Sequence, residues 1–536
     1  MQILLIIPRY NLTNKANYQY VFPLGLGYIS SVLKKAGYSV DCLNLNHFNG
    51  KIEDLITRRL NTKKYNFVCT GHIGIGYAIV EKIINIIRSH DSQPKVIFGG
   101  PLVTSEPKLI FENLKPDFAI LGEGEITIIE LLKAVERNED FKDVEGIIYK
   151  DENGKTIFTK QRESIKNIDS LPVPDFEGFG FLKKLENECN NSNIYNLFDY
   201  PRTYPILSSR GCPFQCTFCY HTLGRRYRMR SIKSVMDELR IAVKKYKINI
   251  IEIIDDMFSI DKKRLYEFCK HLKKLVNEVP WECKWECQLS VNTVSREMLM
   301  ILKDSGCHAI SFGFESYSQT VLKSMKKPIT SKQINEALKL SMEIGLSVQG
   351  NFIFGDSAET KETAKETLDY WKKYSRGQIK LGFIQPYPGS EIYNRCIKKG
   401  IIKDKLFFIK NKISHTNWLN MTDNMTDKEI EKLKEEIINA RRKYSFYVLP
   451  LKIKEDNKNK YNLLVKCPYC KENLNYKNCL IENRFHYAMH VSCRKCHMRF
   501  FVVSRLYKIG VDYYKELDFF RRNYLSIKDS LSKKRI

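Results

Sequence analysis

Over residues 1–137, short runs that are apolar throughout, rather than at every second position, alternate with helix-like stretches. The apolar runs are Gln2–Pro8, Ser39–Asn46, Phe67–Gly71, Lys95–Gly99 and Phe118–Gly122. Between them lie an amphipathic stretch, Leu24–Lys35, that stops at Gly37, and others near 51–63, 77–90, 105–114 and 126–137. Strands that are hydrophobic on both faces must be covered on both faces, and helices between them supply the crossovers that parallel pairing needs. The pattern predicts a parallel sheet between helical layers, with any ligand at the carboxyl ends of the strands. Those ends carry Gly71, Gly99-Gly100-Pro101 and Gly122-Glu123-Gly124-Glu125. Glycine lets backbone approach a ligand, although tight turns account for most of these residues without one. No GxGxxG opens the first helix, so a dinucleotide fingerprint is absent.

The sharpest chemical signal follows the apolar strand Tyr204–Ser209. It is the run Arg210-Gly211-Cys212-Pro213-Phe214-Gln215-Cys216-Thr217-Phe218-Cys219. Three thiols spaced C-x3-C-x2-C on one loop can ligate three irons of a cubane cluster and leave the fourth without a protein ligand. An open coordination position marks a catalytic rather than a structural metal site. The alternative is a zinc ion completed by His221. Strand and helix runs alternate again around this loop, with strands near 204–209, 249–255, 281–288, 308–315, 347–354 and 378–385.

At these residues the sequence resembles the radical S-adenosylmethionine (radical SAM) superfamily, whose signature is C-x3-C-x-aromatic-C, with Phe218 in the aromatic place. The resemblance implies a partial, six-unit β/α barrel with its site at the carboxyl ends of the strands. It also implies a 4Fe-4S cluster on Cys212, Cys216 and Cys219, whose open iron binds S-adenosylmethionine and whose electron releases a 5′-deoxyadenosyl radical. Asp255-Asp256-Met257-Phe258 is similar to the segment that meets the cofactor's amino group, and Gly313-Phe314-Glu315-Ser316 to the one that meets its ribose. Gly350–Gly355 and Gln385–Ser390 are similar to the segments around the adenine. For Asp256, a salt bridge with nearby Lys or Arg is an equal reading. Ahead of the barrel, Pro23–Tyr28, Gly99-Gly100-Pro101 and Leu121–Glu125 are similar to the cobalamin-binding domain of one radical SAM subgroup, with Ser170–Asp175 as the joining linker. Gly99, Gly100, Gly122 and Glu123 are then the expected cobalamin contacts. Leu45–Gly50 holds only the His and Gly of a DxHxxG motif, so His47 is read as a loop histidine. A one-electron donor of the flavodoxin or ferredoxin kind is also implied.

Two C-x2-C knuckles, Cys467–Cys470 and Cys493–Cys496, stand 22 residues apart near the end of the chain. Such pairs suit a tetrahedral four-thiolate site. Zinc is the first reading; a single iron or an auxiliary cluster drawing on Cys479, His490 or His497 is the second. Arg484, Phe485, His486, Arg499, Phe500 and Phe501 surround it, a mix that suits nucleic acid or a small core that needs metal.

The 536 residues exceed one core of ~250–300 residues and carry a net charge of +27. Residues 451–536 hold 20 Lys and Arg against 8 Asp and Glu, so nucleic-acid contact is a question for this region alone. Sixteen cysteines without an export signal point to a reducing cytoplasm, and no apolar run reaches the ~18 residues of a membrane span.

The fold class is therefore α/β: an N-terminal Rossmann-like parallel sheet, a partial TIM-type six-unit barrel and a small C-terminal zinc-ribbon-like domain. The expected divisions are 1–140 for the cobalamin-binding-like domain, 141–200 for a linker and 201–425 for the barrel. A helical connector at 426–460, a ribbon at 461–510 and a basic tail at 511–536 follow. The functional expectation is methyl transfer to an unactivated carbon through methylcobalamin. The alternatives are a non-methylating radical rearrangement, cyclisation or oxidation, tRNA modification of the methylthiotransferase kind, and a nucleic-acid- or partner-binding module.

Overall fold

A computed structural model describes residues 1–513 apart from 11–12, 72–75, 191–196, 222, 376 and 414–417; nearly all of the expected tail at 511–536 lies outside the described residues. The first sheet contains β1 (Gln2–Ile7), β2 (Ser39–Asn44), β3 (Phe67–Gly71), β4 (Lys95–Gly99), β5 (Phe118–Ile120), β6 (Ile147–Lys150) and β7 (Thr156–Phe158), in the order β2-β1-β3-β4-β5-β6-β7. β1 to β5 pair in parallel. Leu5, Ile7 and Ile97 pack to one side with Tyr28 and Leu131, while Leu4, Val68 and Phe98 pack to the other with Ile56 and Ile83. That two-sided burial explains the unbroken apolar runs. Strand order reverses beside β1, which opens a crevice at the carboxyl ends.

β6 and β7 add to this sheet as an antiparallel hairpin. The first unit therefore reaches Phe158 and not 140, because antiparallel strands need no crossover helix to announce them. The expected linker also contains a short helix, Phe181–Asn187.

The second unit contains β8 (Thr203–Ile206), β9 (Ser209–Arg210), β10 (Arg228–Met229), β11 (Ile250–Ile253), β12 (Lys284–Leu289), β13 (Cys307–Glu315), β14 (Ser347–Phe354) and β15 (Lys380–Phe383). Six of them form an all-parallel sheet, β15-β14-β13-β12-β11-β8, whose end strands do not pair, so the barrel stays open. The helices Ile232–Tyr246, Lys262–Asn277, Arg296–Asp304, Ser331–Ile344 and Lys361–Tyr370 alternate with the strands. Each starts on a side-chain cap, from Ser231, Asp261, Ser295, Thr330 and Thr360 respectively. β9 and β10 pair with each other and close the neck of the loop that carries the three cysteines.

The helix Asp427–Tyr444 packs Ile430, Leu433 and Ile437 into the core that also holds Leu368 and Trp371. It leads to β16 (Tyr447–Val448), β17 (Lys452–Asn457), β18 (Lys460–Lys466), β19 (Asn473–Leu480), β20 (Ala488–Ser492) and β21 (Arg499–Val503), in two three-stranded sheets. This ribbon begins before 461: β17 reads Lys-Ile-Lys-Glu-Asp-Asn, and so polar an edge strand gives no hydrophobic signal.

The ribbon docks on the amino ends of the barrel strands. Asn190 exchanges backbone hydrogen bonds with Asn478 (3.0 Å) and Leu480 (3.1 Å), ahead of β8. Arg494 pairs with Asp199 at 2.6 Å. Arg499 Nη2 donates to Val348 O at 2.6 Å, near the start of β14, and also to Gln378 O, just before β15. No helix among the described residues is long and apolar enough to cross a membrane.

Candidate functional site

The neck of the cysteine loop closes on Gly211, which has φ +83°; a Cβ there would lie 2.4 Å from Arg226 O. Farther along, Thr217 N–H donates to Met325 O (3.0 Å) and Ile392 N–H donates to Thr217 O (3.0 Å). Phe218 is half-buried against the core that contains Tyr393. Cys216 is buried, Cys212 half-buried and Cys219 exposed. Among the described residues, these sulfurs and His221 form no set of three within 4.8 Å of one another, whereas the four C-terminal thiols do. A single zinc ion needs its ligands on one tetrahedron; a cubane offers each thiolate a separate corner. The loop therefore lacks the close grouping of ligand atoms that a zinc ion completed by His221 would need.

Beside the thiols stands a cation that the sequence did not announce. Lys327 pairs with Glu315 at 3.0 Å. Burial pulls the ammonium down, but Glu315 and the neighbouring Cys216 and Cys219 outweigh it and hold it above its ordinary range. Glu315 ends β13 at φ +61°, where the register with β14 shifts. A Cβ on Gly313 would lie 2.4 Å from Glu315 Oε1 and 2.7 Å from Lys327 Nζ, so the ion pair occupies the space glycine leaves.

The remaining rim residues divide. Asp255 is 2% exposed and accepts from Ser208 N–H (2.6 Å), Ser208 Oγ (2.5 Å) and Ser209 Oγ (2.6 Å). It ties β11 to the segment entering the cysteine loop; burial raises its carboxyl against the opposing pull of those hydroxyls. Asp256 instead faces a cavity. Ser316 is buried, shares a hydrogen bond with Thr367 Oγ1 (3.1 Å) and accepts from Ser318 N–H (3.1 Å). Gly355, at φ +97°, donates its N–H to Glu359 Oε2 at 3.2 Å.

That cavity, about 520 Å³, lies between the first sheet and the barrel. Gly71, Gly99, Gly100 and Gly122 wall it on one side, with Gly25 and Tyr28 of the first helix (Leu24–Lys35); Leu207, Arg210, Ile254 and Asp256 wall it on the barrel side. Gly71 has no room for a side chain, because a Cβ would lie 2.7 Å from Gly99 O. Gly25 differs: nothing lies within 4 Å of its would-be Cβ, although glycine in a helix costs ~1 kcal/mol relative to alanine. Packing does not ask for it, and the room before it is cavity. This cradle fits a flat ligand seated on glycine. Among the described residues no histidine lines it. His47 is buried, with Nε2 2.7 Å from Tyr20 Oη and 3.3 Å from Asn44 Nδ2, and burial pushes it down to about 4.

Glu123 borders the cavity, but its carboxylate is already engaged. It accepts from Arg210 Nη1 (2.8 Å), Arg228 Nη1 (2.7 Å) and Ile165 N–H (2.7 Å), while Glu125 accepts from Arg210 Nη2 (2.7 Å). All four side chains are 3–7% exposed. Burial would raise Glu123, yet Arg228 and Arg210 hold it below the ordinary carboxylate range. The Arg210 guanidinium also lies 4.9 Å from the Tyr28 ring centroid. Sequence reading missed both arginines; the one available signal was a charged residue continuing an apolar strand.

In the ribbon, Cys467 and Cys496 Sγ are 3.8 Å apart, Cys470 and Cys493 Sγ 3.6 Å, and all four lie within 4.8 Å. Ligand bonds of ~2.3 Å to a tetrahedral ion give edges of ~3.8 Å, so the set fits one ion. Cys479, His490 and His497 lie outside this set, and the His490 ring stacks on Phe501 at 4.4 Å. Arg499 and Phe500 are buried and unavailable to nucleic acid.

Comparison with known proteins agrees with this arrangement. Residues 206–370 match the Radical SAM superfamily and residues 14–132 the B12 binding domain. An uncharacterized methyltransferase of Pyrococcus horikoshii is 29% identical over 83% of this chain and 92% of its own length. Cytidylyl-2-hydroxyethylphosphonate methyltransferase of Streptomyces wedmorensis is 25% identical over 75% of this chain and 82% of its own. The fold is shared with the radical S-adenosylmethionine methyltransferase TsrM of Kitasatospora setae, solved with cobalamin and a [4Fe-4S] cluster, at TM-score 0.59, 17% identity and coverage of 74% and 75% of the two chains. The chain thus carries a radical SAM superfamily domain preceded by a B12 binding domain.

Proposed function

We propose that this radical SAM enzyme is a cobalamin-dependent methyltransferase that acts on an unactivated carbon. The observation that carries the reading is the glycine-walled cavity whose far wall, Leu207, Arg210, Ile254 and Asp256, is the carboxyl edge of β8 and β11, beside the cysteine loop. A ligand held there by the first domain would lie next to the barrel rim, as methyl delivery between two cofactors requires, which supports the reading. The methyltransferase relatives support the same reading.

In this reading Cys212, Cys216 and Cys219 hold a 4Fe-4S cluster, and Gly25, Gly71, Gly99, Gly100 and Gly122 give a corrinoid its backbone bed. When bound, the cluster with S-adenosylmethionine supplies a 5′-deoxyadenosyl radical and the corrinoid supplies the methyl group. Asp256 offers the free carboxylate of its pair to the cofactor's amino group. Glu315 and Lys327 balance charge beside the thiolates, while Phe218 and Gly355 shape the loop and rim around them. Cys467, Cys470, Cys493 and Cys496 hold zinc, which keeps the ribbon folded on the barrel floor. A reducing, cytoplasmic setting belongs to the reading, since all sixteen cysteines are free thiols.

Anaerobic reconstitution tests it. The wild type should retain iron and corrinoid, cleave S-adenosylmethionine when reduced, and yield a methylated product; the triple variant C212A/C216A/C219A should cleave none. Cleavage surviving in that variant would sink the cluster assignment, and an enzyme that cleaves but retains no corrinoid would sink the methyltransferase.

A further inference from the structure

We propose that Glu123, Glu125, Arg210 and Arg228 form a clamp that transmits occupancy of the corrinoid cavity to the cysteine loop, with Arg210 as its positioning residue. The proposal rests on reading that cavity as the corrinoid site.

Arg210 is one residue removed from Cys212, and in the β9–β10 ladder it stands directly opposite Arg228. These arginines mark the two ends of the loop 211–227, and Glu123 holds both: 2.8 Å to Arg210 and 2.7 Å to Arg228. The loop's neck is thus fastened to the segment that follows β5 in the other domain. Glu123, Glu125 and Arg210 also line the cavity, so a bound molecule there meets the clamp itself. The joining segment enters the same knot, because Ile165 donates its N–H to Glu123 (2.7 Å) and accepts from Arg228 Nη1 (2.7 Å).

Two carboxylates and two guanidiniums, all nearly inaccessible, balance one another. Moving one away leaves a buried charge uncompensated, so the four shift together or not at all. A molecule that fills the cavity removes the remaining water beside them, which strengthens their attraction and fixes the neck. Cys212 then takes a defined position, and with it the site where S-adenosylmethionine binds. Coupling of this kind is reciprocal, so it can be read as a ratio of affinities.

The test uses the full chain carrying its cluster, oxidised, with and without hydroxocobalamin, and measures S-adenosylmethionine binding by equilibrium dialysis. In the wild type, hydroxocobalamin should tighten S-adenosylmethionine by about fivefold or more, the lower end of usual coupling. Arg210→Lys keeps the charge and loses the fork, and Glu125→Gln removes one ion pair with little change of shape. Because both residues line the cavity, hydroxocobalamin is supplied at a concentration that saturates each variant, and both should then show nearly equal S-adenosylmethionine affinity with and without it. If Arg210→Lys fails to fold, Glu125→Gln decides alone. Equal affinities in the wild type overturn the clamp while leaving the corrinoid site standing. Undiminished coupling in the variants also overturns it, since the cofactors then communicate by direct contact. A wild type that retains no hydroxocobalamin overturns both proposals.

Discussion

Gly313 and Gly25 lack a side chain for opposite reasons. At Gly313 the missing Cβ makes room for the protein's own Glu315–Lys327 pair; at Gly25 it leaves open space along a cavity wall. Only the second is room kept for something else. Gly25→Met should fill this side of the cavity while favouring the helix of which it is the second residue. The expected result is at least tenfold lower corrinoid retention after gel filtration, with a thermal midpoint unchanged or slightly raised. A midpoint that falls along with retention would mean that the residue serves packing. Residue roles of this kind were partly legible in the sequence. The cysteine spacing singled out the loop between β9 and β10, and Asp255-Asp256 falls at the carboxyl end of β11. Which aspartate faces inward was not legible, because it depends on how the backbone leaves β11: Asp255 is taken by Ser208 and Ser209.

At the level of elements, the apolar runs located the parallel strands of both sheets, because burial on two faces leaves a continuous hydrophobic record. The same rule explains the omissions. β7 is a three-residue edge strand and β17 is almost wholly polar, so neither writes that record, while in β6 it is only the three residues Ile147-Ile148-Tyr149 long. The β9–β10 ladder is only two residues per strand, below any periodicity, and yet it defines the cysteine loop. Gly211→Ala tests that role: its Cβ would meet Arg226 O at 2.4 Å, and its φ of +83° is unfavourable for alanine. Reconstituted iron at the cluster should fall to a small fraction of the wild-type content, while the far-ultraviolet circular dichroism and the ribbon's metal stay unchanged. Normal iron content in this variant would show that the neck is not needed to hold the thiols together.

Across the whole molecule, the two metal-binding regions lie at opposite ends of the barrel strands. The cysteine loop and rim stand at the carboxyl ends, whereas the ribbon meets Asp199, Val348 and Gln378 at the amino ends. The eight rises between the nine residues of β13 span ~26 Å at ~3.3 Å each. The four thiols of the ribbon are therefore remote from the cysteine loop, and an ion held there is expected to steady the floor. Cys493→Ser should release that ion and lower the thermal midpoint of the chain by several degrees, with the electron paramagnetic resonance spectrum of the reduced cluster unchanged. A changed spectrum would contradict a purely structural role. The docking has a further consequence in time. Asn190 receives its partners Asn478 and Leu480 only after nearly 300 more residues have left the ribosome. The floor is thus the last part of the barrel to be completed during synthesis, well after the cysteine loop has met its own partners at Met325 and Ile392.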